Sequence, residues 1–240
     1  LRIFVFAVFV MCTNALANAS GDAQQPTFSV CTELSEHADV NNVINGSTTD
    51  QVIHAGKRAG IRFTIQYHTW NRCLQLAQNN HIDAIYALFW TSERATFLTF
   101  PKGSELSNNA SRLRQTRFFF YENIDRPLDL KNLEFGIGAP LGYVARDYLE
   151  KQGWLSPIDY SIKEGFAMLG KRKLDAYLIA EEMGDNAIKS LGLQSILRKK
   201  QPAFVEKDIH IAFTHATYQQ YANQIEEFWS ALEAIREQYQ

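Results

Sequence analysis

Four consecutive residues, Thr91-Ser92-Glu93-Arg94, bring two hydroxyls, an acid and a cation into one short run. A hydroxyl here can cap a new helix, and Glu93 suits its first turn, where the helix dipole favours negative charge. Arg94 in the same turn opposes that dipole. An anion gripped by free backbone N–H groups and the guanidinium together makes the placement favourable. A surface arginine paired with Glu93 or solvent is the competing reading. The chemistry on offer is the capture of a carboxylate-like anion.

Other chemistries find little support. His37, His54, His68, His81, His210 and His215 are scattered, with neither a zinc-protease motif nor a local nucleophile-and-base arrangement. There is no CxxC and no closely spaced Cys/His set, which argues against structural zinc. Gly136, Gly138 and Gly142 are spaced GxGxxxG, with Pro140 inside the loop. That departs from the dinucleotide fingerprint, and no cofactor is expected. Glu93 and Glu181 could in principle form an acid and base pair, but nothing else in the chain asks for catalysis.

The elements that must position Arg94 read clearly. Trp70, Cys73, Leu74 and Ala77 make one apolar face of a helix that stops near Asn79-Asn80. Ile82 to Phe89 is an apolar run of strand length. Before these come a strand at Phe28-Ser29-Val30-Cys31, a helix from Asp50 to Ala59 ending at Gly60, and an alternating strand from Ile61 to Tyr67. This β-α-β-α-β order predicts a mostly parallel sheet flanked by helices. Leu113 to Tyr121 reads as a strand crossing into a second unit. Glu134 to Ala139 then predicts a strand, followed by a glycine-bearing loop at Gly142-Tyr143 and a helix to about Gln152. Ser161–Gly170 and Leu174–Ala180 predict another helix and strand. The phrases Ile82-Asp83-Ala84 and Leu174-Asp175-Ala176 echo each other, as expected of two units with one architecture. Lys199 to Phe213 reads as a second crossing. A last helix from Gln219 to about Tyr239 carries Tyr221, Ile225, Phe228, Trp229, Leu232 and Ile235 on one face.

With Trp70, Asp83-Ala84, the apolar strand, Thr91-x-Glu93-Arg94 and Phe100-Pro101 in place, the chain resembles the bacterial extracellular solute-binding proteins of family 3. The resemblance implies the type II periplasmic binding protein fold, α/β with two lobes, each a mostly parallel sheet flanked by helices. Two crossing segments join them. It divides the chain into lobe 1 at 26–108, lobe 2 at 109–207, and a return to lobe 1 at 208–240. It implies capture of a small polar carboxylate-bearing ligand, an amino acid or a relative, for an inner-membrane ABC permease. A sensor module for a membrane receptor is the alternative, and a periplasmic dehydratase-like enzyme a more distant one. Arg94 matches the arginine that grips the ligand's carboxylate, and the Gly142 loop matches the contact from lobe 2. Thr91 or Ser92 would add hydrogen bonds, with Trp70, Phe89, Trp90 and Tyr143 as aromatic walls. Ala180 stands where relatives hold the ligand's ammonium with an aspartate, and Glu181 is the candidate substitute. Phe89 replaces a ligand-binding threonine, and 33–49 lacks the usual aromatic wall.

Composition agrees with export and with a soluble core. Arg2, the run Ile3 to Met11, and the small-x-small triplets at Ala15-Leu16-Ala17 and Ala17-Asn18-Ala19 read as a cleaved signal peptide at residues 1–19. The run is short for a membrane span, and Met11 before Cys12 argues against a lipoprotein. Removing the segment takes the formal charge from -2 to -3, since it holds Arg2 and no acid. That is no footprint for nucleic acid or an anionic lipid surface. The hydrophobic fraction of 46% is ample for a core in one large domain or two lobes. A monomer is the default. Cys31 and Cys73 remain in an oxidising compartment, where an even pair invites a disulfide and two separately buried thiols are the alternative. Both sit near the carboxyl edge of the strands, where ligands bind.

Overall fold

Two β-α-β units open the chain because β-branched and aromatic residues alternate in short runs, separated by helices with one apolar stripe. A computed structural model describes residues 25–33, 47–106 and 109–239. The expected signal peptide at 1–19 lies outside the described residues, as does most of the polar stretch 33–49. In the first lobe, β1 (Thr27–Glu33) lies between β2 (Arg62–His68) and β3 (Ala84–Leu88), parallel to both. α1 (Ser47–Arg58) and α2 (Trp70–Gln78) are the crossovers.

The order continues through β4 (Leu98–Thr99) and β5 (Arg114–Asn123) into the second lobe. There lie β6 (Ile137–Gly138), α3 (Val144–Lys151), α4 (Ile162–Gly170), β7 (Ala176–Ala180), α5 (Glu181–Ser190) and β8 (Leu197–Lys199). β9 (Val205–Thr214) returns to the first lobe, and α6 (His215–Ile235) closes the chain. The hydrogen-bonded order is β2-β1-β3-β9-β5-β7-β6, with β4 on β9 and β8 on β5.

β5 and β9 are the two crossing strands, and they pair with each other. Arg114–Phe118 runs antiparallel to Val205–Ile209; beyond that, β5 continues onto β7 and β8, and β9 onto β3. The molecule is therefore an α/β fold of two lobes strung on two long shared strands. Within each lobe the βαβ pairs are parallel, and the crossing strands add antiparallel neighbours.

Each lobe buries both faces of its sheet. In the first, Phe28, Val30 and Phe213 pack under Val52 of α1 and Ile225, Phe228, Trp229 and Leu232 of α6. On the opposite face Cys31, Ile85 and Leu88 meet Trp70, Cys73, Leu76 and Ala77 of α2. Successive residues of β5 split in the same way in the second lobe. Phe119 and Tyr121 face Phe166 and Ile188, whereas Phe118 and Phe120 face Leu149 and Leu178. Burial of such side chains, each worth about 1.5–3 kcal/mol, is what fixes the strand register.

The echoed aspartates do the same work in both lobes. Asp83 accepts from Ser29 N, Ser29 Oγ and Thr217 Oγ1, while its own N–H donates to Ser29 O. Asp175 accepts from the N–H groups of Glu134, Phe135 and Gly136 and pairs with Arg126, while its own N–H donates to Gly136 O. Each aspartate thus ties the entry of a strand to its parallel neighbour.

Some local expectations differ from the structure. The helix expected after Thr91 is a single 3-10 turn, Arg94–Thr96, because the chain is drawn at once into β4 against β9. β3 is shorter than Ile82 to Phe89: Asp83 is engaged as a side-chain anchor, and Ala87 takes φ +64° at a register shift between Tyr86 and Leu88. The second crossing is interrupted, β8 and β9 flanking a cis Gln201-Pro202 bond. α6 begins at His215, four residues before the predicted Gln219.

Candidate functional site

The carboxyl ends of β1, β3 and β7 converge on the crossing strands, and a cavity of about 210 Å³ lies between the lobes there. Its walls come from both. Thr32, Glu33, Trp70, Leu88, Phe89 and Arg94 line it from the first lobe, and Tyr143, Val144, Ala180, Glu182 and Met183 from the second. Arg114, Thr116 and Phe118 are alternate residues of β5, so the strand's pleat aims one set at the cavity, with Ile209 of β9 beside them. The lining is largely apolar with a few converging polar groups, the usual composition of a small-molecule site. Ala87 also lines it; a left-handed backbone at a non-glycine residue is strain of the kind found at ligand sites.

Arg94 spans the cleft. Its side chain crosses from the 3-10 turn, donating from Nη1 to Phe89 O and from Nη2 to Gly142 O, both at 3.1 Å. The guanidinium lies over the Trp70 ring, 5.2 Å from its centroid. Thr91 Oγ1 accepts the Arg94 N–H and so holds the turn that aims the side chain. The residue is 6% exposed, and its guanidinium forms no ion pair with a described residue. Burial pulls its pKa down from 12.5 to about 10, which still leaves it charged at neutral pH.

A second contact joins the lobes beside it. Tyr143 Oη donates to Glu33 Oε2 and lies 3.5 Å from Met183 Sδ. Burial and the Glu33 charge push the Tyr143 phenol well above its ordinary value, so it remains a neutral donor. Glu33 Oε1 in turn accepts the Trp70 N–H at 3.1 Å. The first turn of α2 contains no acid, and Thr69 makes no side-chain cap, so a carboxylate from the neighbouring strand serves the positive helix end instead. The Trp70 and Tyr143 rings meet edge to face at 6.1 Å.

The disulfide between Cys31 and Cys73, with Cα atoms 5.6 Å apart, ties the end of β1 to α2. One half-cystine lies two residues before Glu33 and the other three after Trp70. The bridge therefore couples the two elements that carry this wall.

Of the residues picked out in the sequence, Arg94, Trp70, Phe89 and Tyr143 come together on the cavity wall. Thr91 and Gly142 lie just behind Arg94, lining a smaller polar pocket of about 170 Å³ with Glu93 and Asp147. Trp90 and Ser92 line neither. Glu181 turns to the other face of β5, where it pairs with Arg117 and Lys199, each at 2.6 Å. Glu182 lines the cavity in its place, paired with Arg114 at 2.8 Å. Glu33, Arg114, Thr116 and Met183 line the cavity without standing out in the sequence. The alternation of Arg114, Thr116 and Phe118 is a sequence signal for two of them, and an acid at the carboxyl edge of β1 is a weaker one for Glu33.

Comparison with known proteins shows the fold. No family model matches, and no curated protein matches. Among solved structures, a histidine kinase sensor domain described as similar to periplasmic binding proteins superposes with a TM-score of 0.68 at 14% identity, covering 89% of this chain and 92% of that one. A mutant of ArgBP from T. maritima gives 0.68 at 15% identity, covering 89% and 91%. The GluR0 ligand-binding core from Nostoc punctiforme, in complex with L-glutamate, gives 0.67 at 15% identity, covering 88% and 93%. The chain has the two-lobed periplasmic binding protein fold.

Proposed function

We propose that this chain is an extracytoplasmic solute-binding protein that captures a small carboxylate-bearing solute between its lobes. Arg94 carries the reading: a buried cation facing an interlobe cavity, held by backbone carbonyls and without a carboxylate counterion among the described residues. A buried charge of this kind is stabilised by an ion of opposite sign, and a guanidinium matches a carboxylate in shape as well as charge. Residues 26–108 and 208–240 form lobe 1 in this reading, and 109–207 form lobe 2. Closure would swing the lobes about the crossing strands, and no step of it requires catalysis.

Export through the segment at 1–19 would put the protein in the periplasm, as a monomer, where an inner-membrane ABC permease would receive the solute. The likeness to a kinase sensor domain favours a second reading, a receptor module that reports the solute instead. A permease whose ATP hydrolysis rises with the loaded protein distinguishes the first from the second.

A thermal-shift screen against amino acids, dipeptides and organic acids tests the core of the proposal. Ligand at about 100 times its dissociation constant stabilises the folded state by about 2.7 kcal/mol. The expected result is a hit in the native protein that disappears in Arg94→Ala. A panel with no hit, or hits indifferent to Arg94→Ala, would sink it.

A further inference from the structure

Tyr143 belongs to the second lobe, and the carboxylate that takes its phenol proton, Glu33, belongs to the first. Within its own lobe the acceptor for this phenol is Met183 Sδ, at 3.5 Å, and a thioether accepts weakly. Meeting of the lobes therefore exchanges a weak acceptor for a charged one, and a hydrogen bond to a charged group is roughly twice as strong as a neutral one. Glu33 is held in place for it. Its other oxygen accepts the Trp70 N–H at the start of α2, and the Cys31–Cys73 bridge ties that helix to β1. The Trp70 and Tyr143 rings meet edge to face across the same boundary.

The topology gives this bond leverage. In the order β2-β1-β3-β9-β5-β7-β6, β1 is two strands out from β9, and β6 is two strands out from β5. With strands spaced about 4.8 Å apart, Glu33 at the end of β1 and the loop after β6 that carries Tyr143 each stand about 10 Å from the crossing strands. A rotation about those strands separates two groups in proportion to their distance from the axis. A bond placed this far out is broken by a small opening and resists it strongly. We infer that Glu33 and Tyr143 are positioning residues for solute capture, a latch that holds the lobes closed while Arg94 holds the anion. This deepens the reading above and rests on its closure of the lobes about β5 and β9.

Small-angle scattering of the purified protein with no solute added tests it, because closure is then read apart from binding. Tyr143→Phe keeps the ring against Trp70 and removes the phenol oxygen. It is expected to raise the radius of gyration while helix content by circular dichroism stays unchanged. Glu33→Gln keeps an acceptor oxygen for both Trp70 N and Tyr143, and is expected to scatter closer to the native protein than Glu33→Ala does. In the Glu33→Ala background Tyr143→Phe should add no further opening, since its partner is already gone. Native scattering from Tyr143→Phe, or additive opening in the double variant, overturns the latch and leaves the carboxylate reading intact. If Tyr143→Phe loses helix content, the two Glu33 variants decide, and equal scattering from them overturns the latch. A solute screen that is silent throughout sinks the carboxylate reading and, with it, the role of the latch in capture, whatever the scattering shows.

Discussion

Arg94 stands out in sequence as a candidate because a cation beside Thr91 and Glu93 opposes the dipole of an expected helix start, although the chain forms only a 3-10 turn there. Its partners do not stand out, because Phe89 O and Gly142 O are ordinary backbone groups until the lobes meet. Glu33 is less legible still, since the N–H it serves lies 37 residues away. His210 shows what burial does to a residue that looked unremarkable. It is fully buried, with Nδ1 3.4 Å from Ser104 Oγ and the Phe100 ring edge-on, and its pKa is lowered from 6.5 to about 4. Burial is the largest cause; Asp208 opposes the shift and Arg112 adds to it. The unfolded chain takes up a proton near pH 6.5 that the folded protein refuses until about 4. His210 is therefore expected to contribute full stability above pH 6.5 and to lose it as pH falls towards 4, by about 3 kcal/mol in all. Urea unfolding across that range should show the loss in the native protein and a flatter profile in His210→Gln.

β1 and α2 supply Thr32, Glu33 and Trp70 to the cavity wall, and the Cys31–Cys73 bridge joins them across a separation of 42 residues. A loop of that size predicts about 4 kcal/mol of stabilisation by restriction of the unfolded chain. The double variant Cys31→Ser, Cys73→Ser should unfold at correspondingly lower urea concentration. It should also bind ligand more weakly than stability alone accounts for, because Glu33 and Trp70 lose their shared anchor. At this level the helices and strands followed their periodicity closely. α2 buries Trp70, Cys73 and Ala77 as expected, whereas the expected Leu74 is half-buried and Leu76 is buried more fully. The 3-10 turn at Arg94 departs most, since pairing of Leu98–Thr99 with β9 ends the helical path.

The lobes touch through Gly142 as well as through Arg94 and Tyr143. Gly142 has φ +75°, and a Cβ there would lie 3.2 Å from Trp70 Cδ1. Gly142→Ala would place a side chain in a left-handed backbone, at a cost of about 1–2 kcal/mol, against the opposite lobe. Ligand affinity is expected to fall about tenfold by calorimetry. The contraction on ligand addition seen by small-angle scattering should shrink with it. An unchanged affinity would mean that this contact plays no part in closure. In the proposed closure the crossing strands are the expected hinge, because β5 and β9 pair with each other and one continues into each lobe.

Sequence alone determined most of the helices and strands, the two-lobe α/β architecture, and Arg94 as a candidate for binding an anion, because hydrophobic period, caps and turn residues act over a few neighbours. It could not decide between a disulfide and two thiols at Cys31 and Cys73, nor see that Glu181 faces away while Glu182 faces the cavity. Nor could it foresee that Glu33 would cap a helix from another strand. Those outcomes depend on which groups meet across the sheet and the cleft. Such meetings are set by the packing of both lobes at once, and no local run of residues contains them.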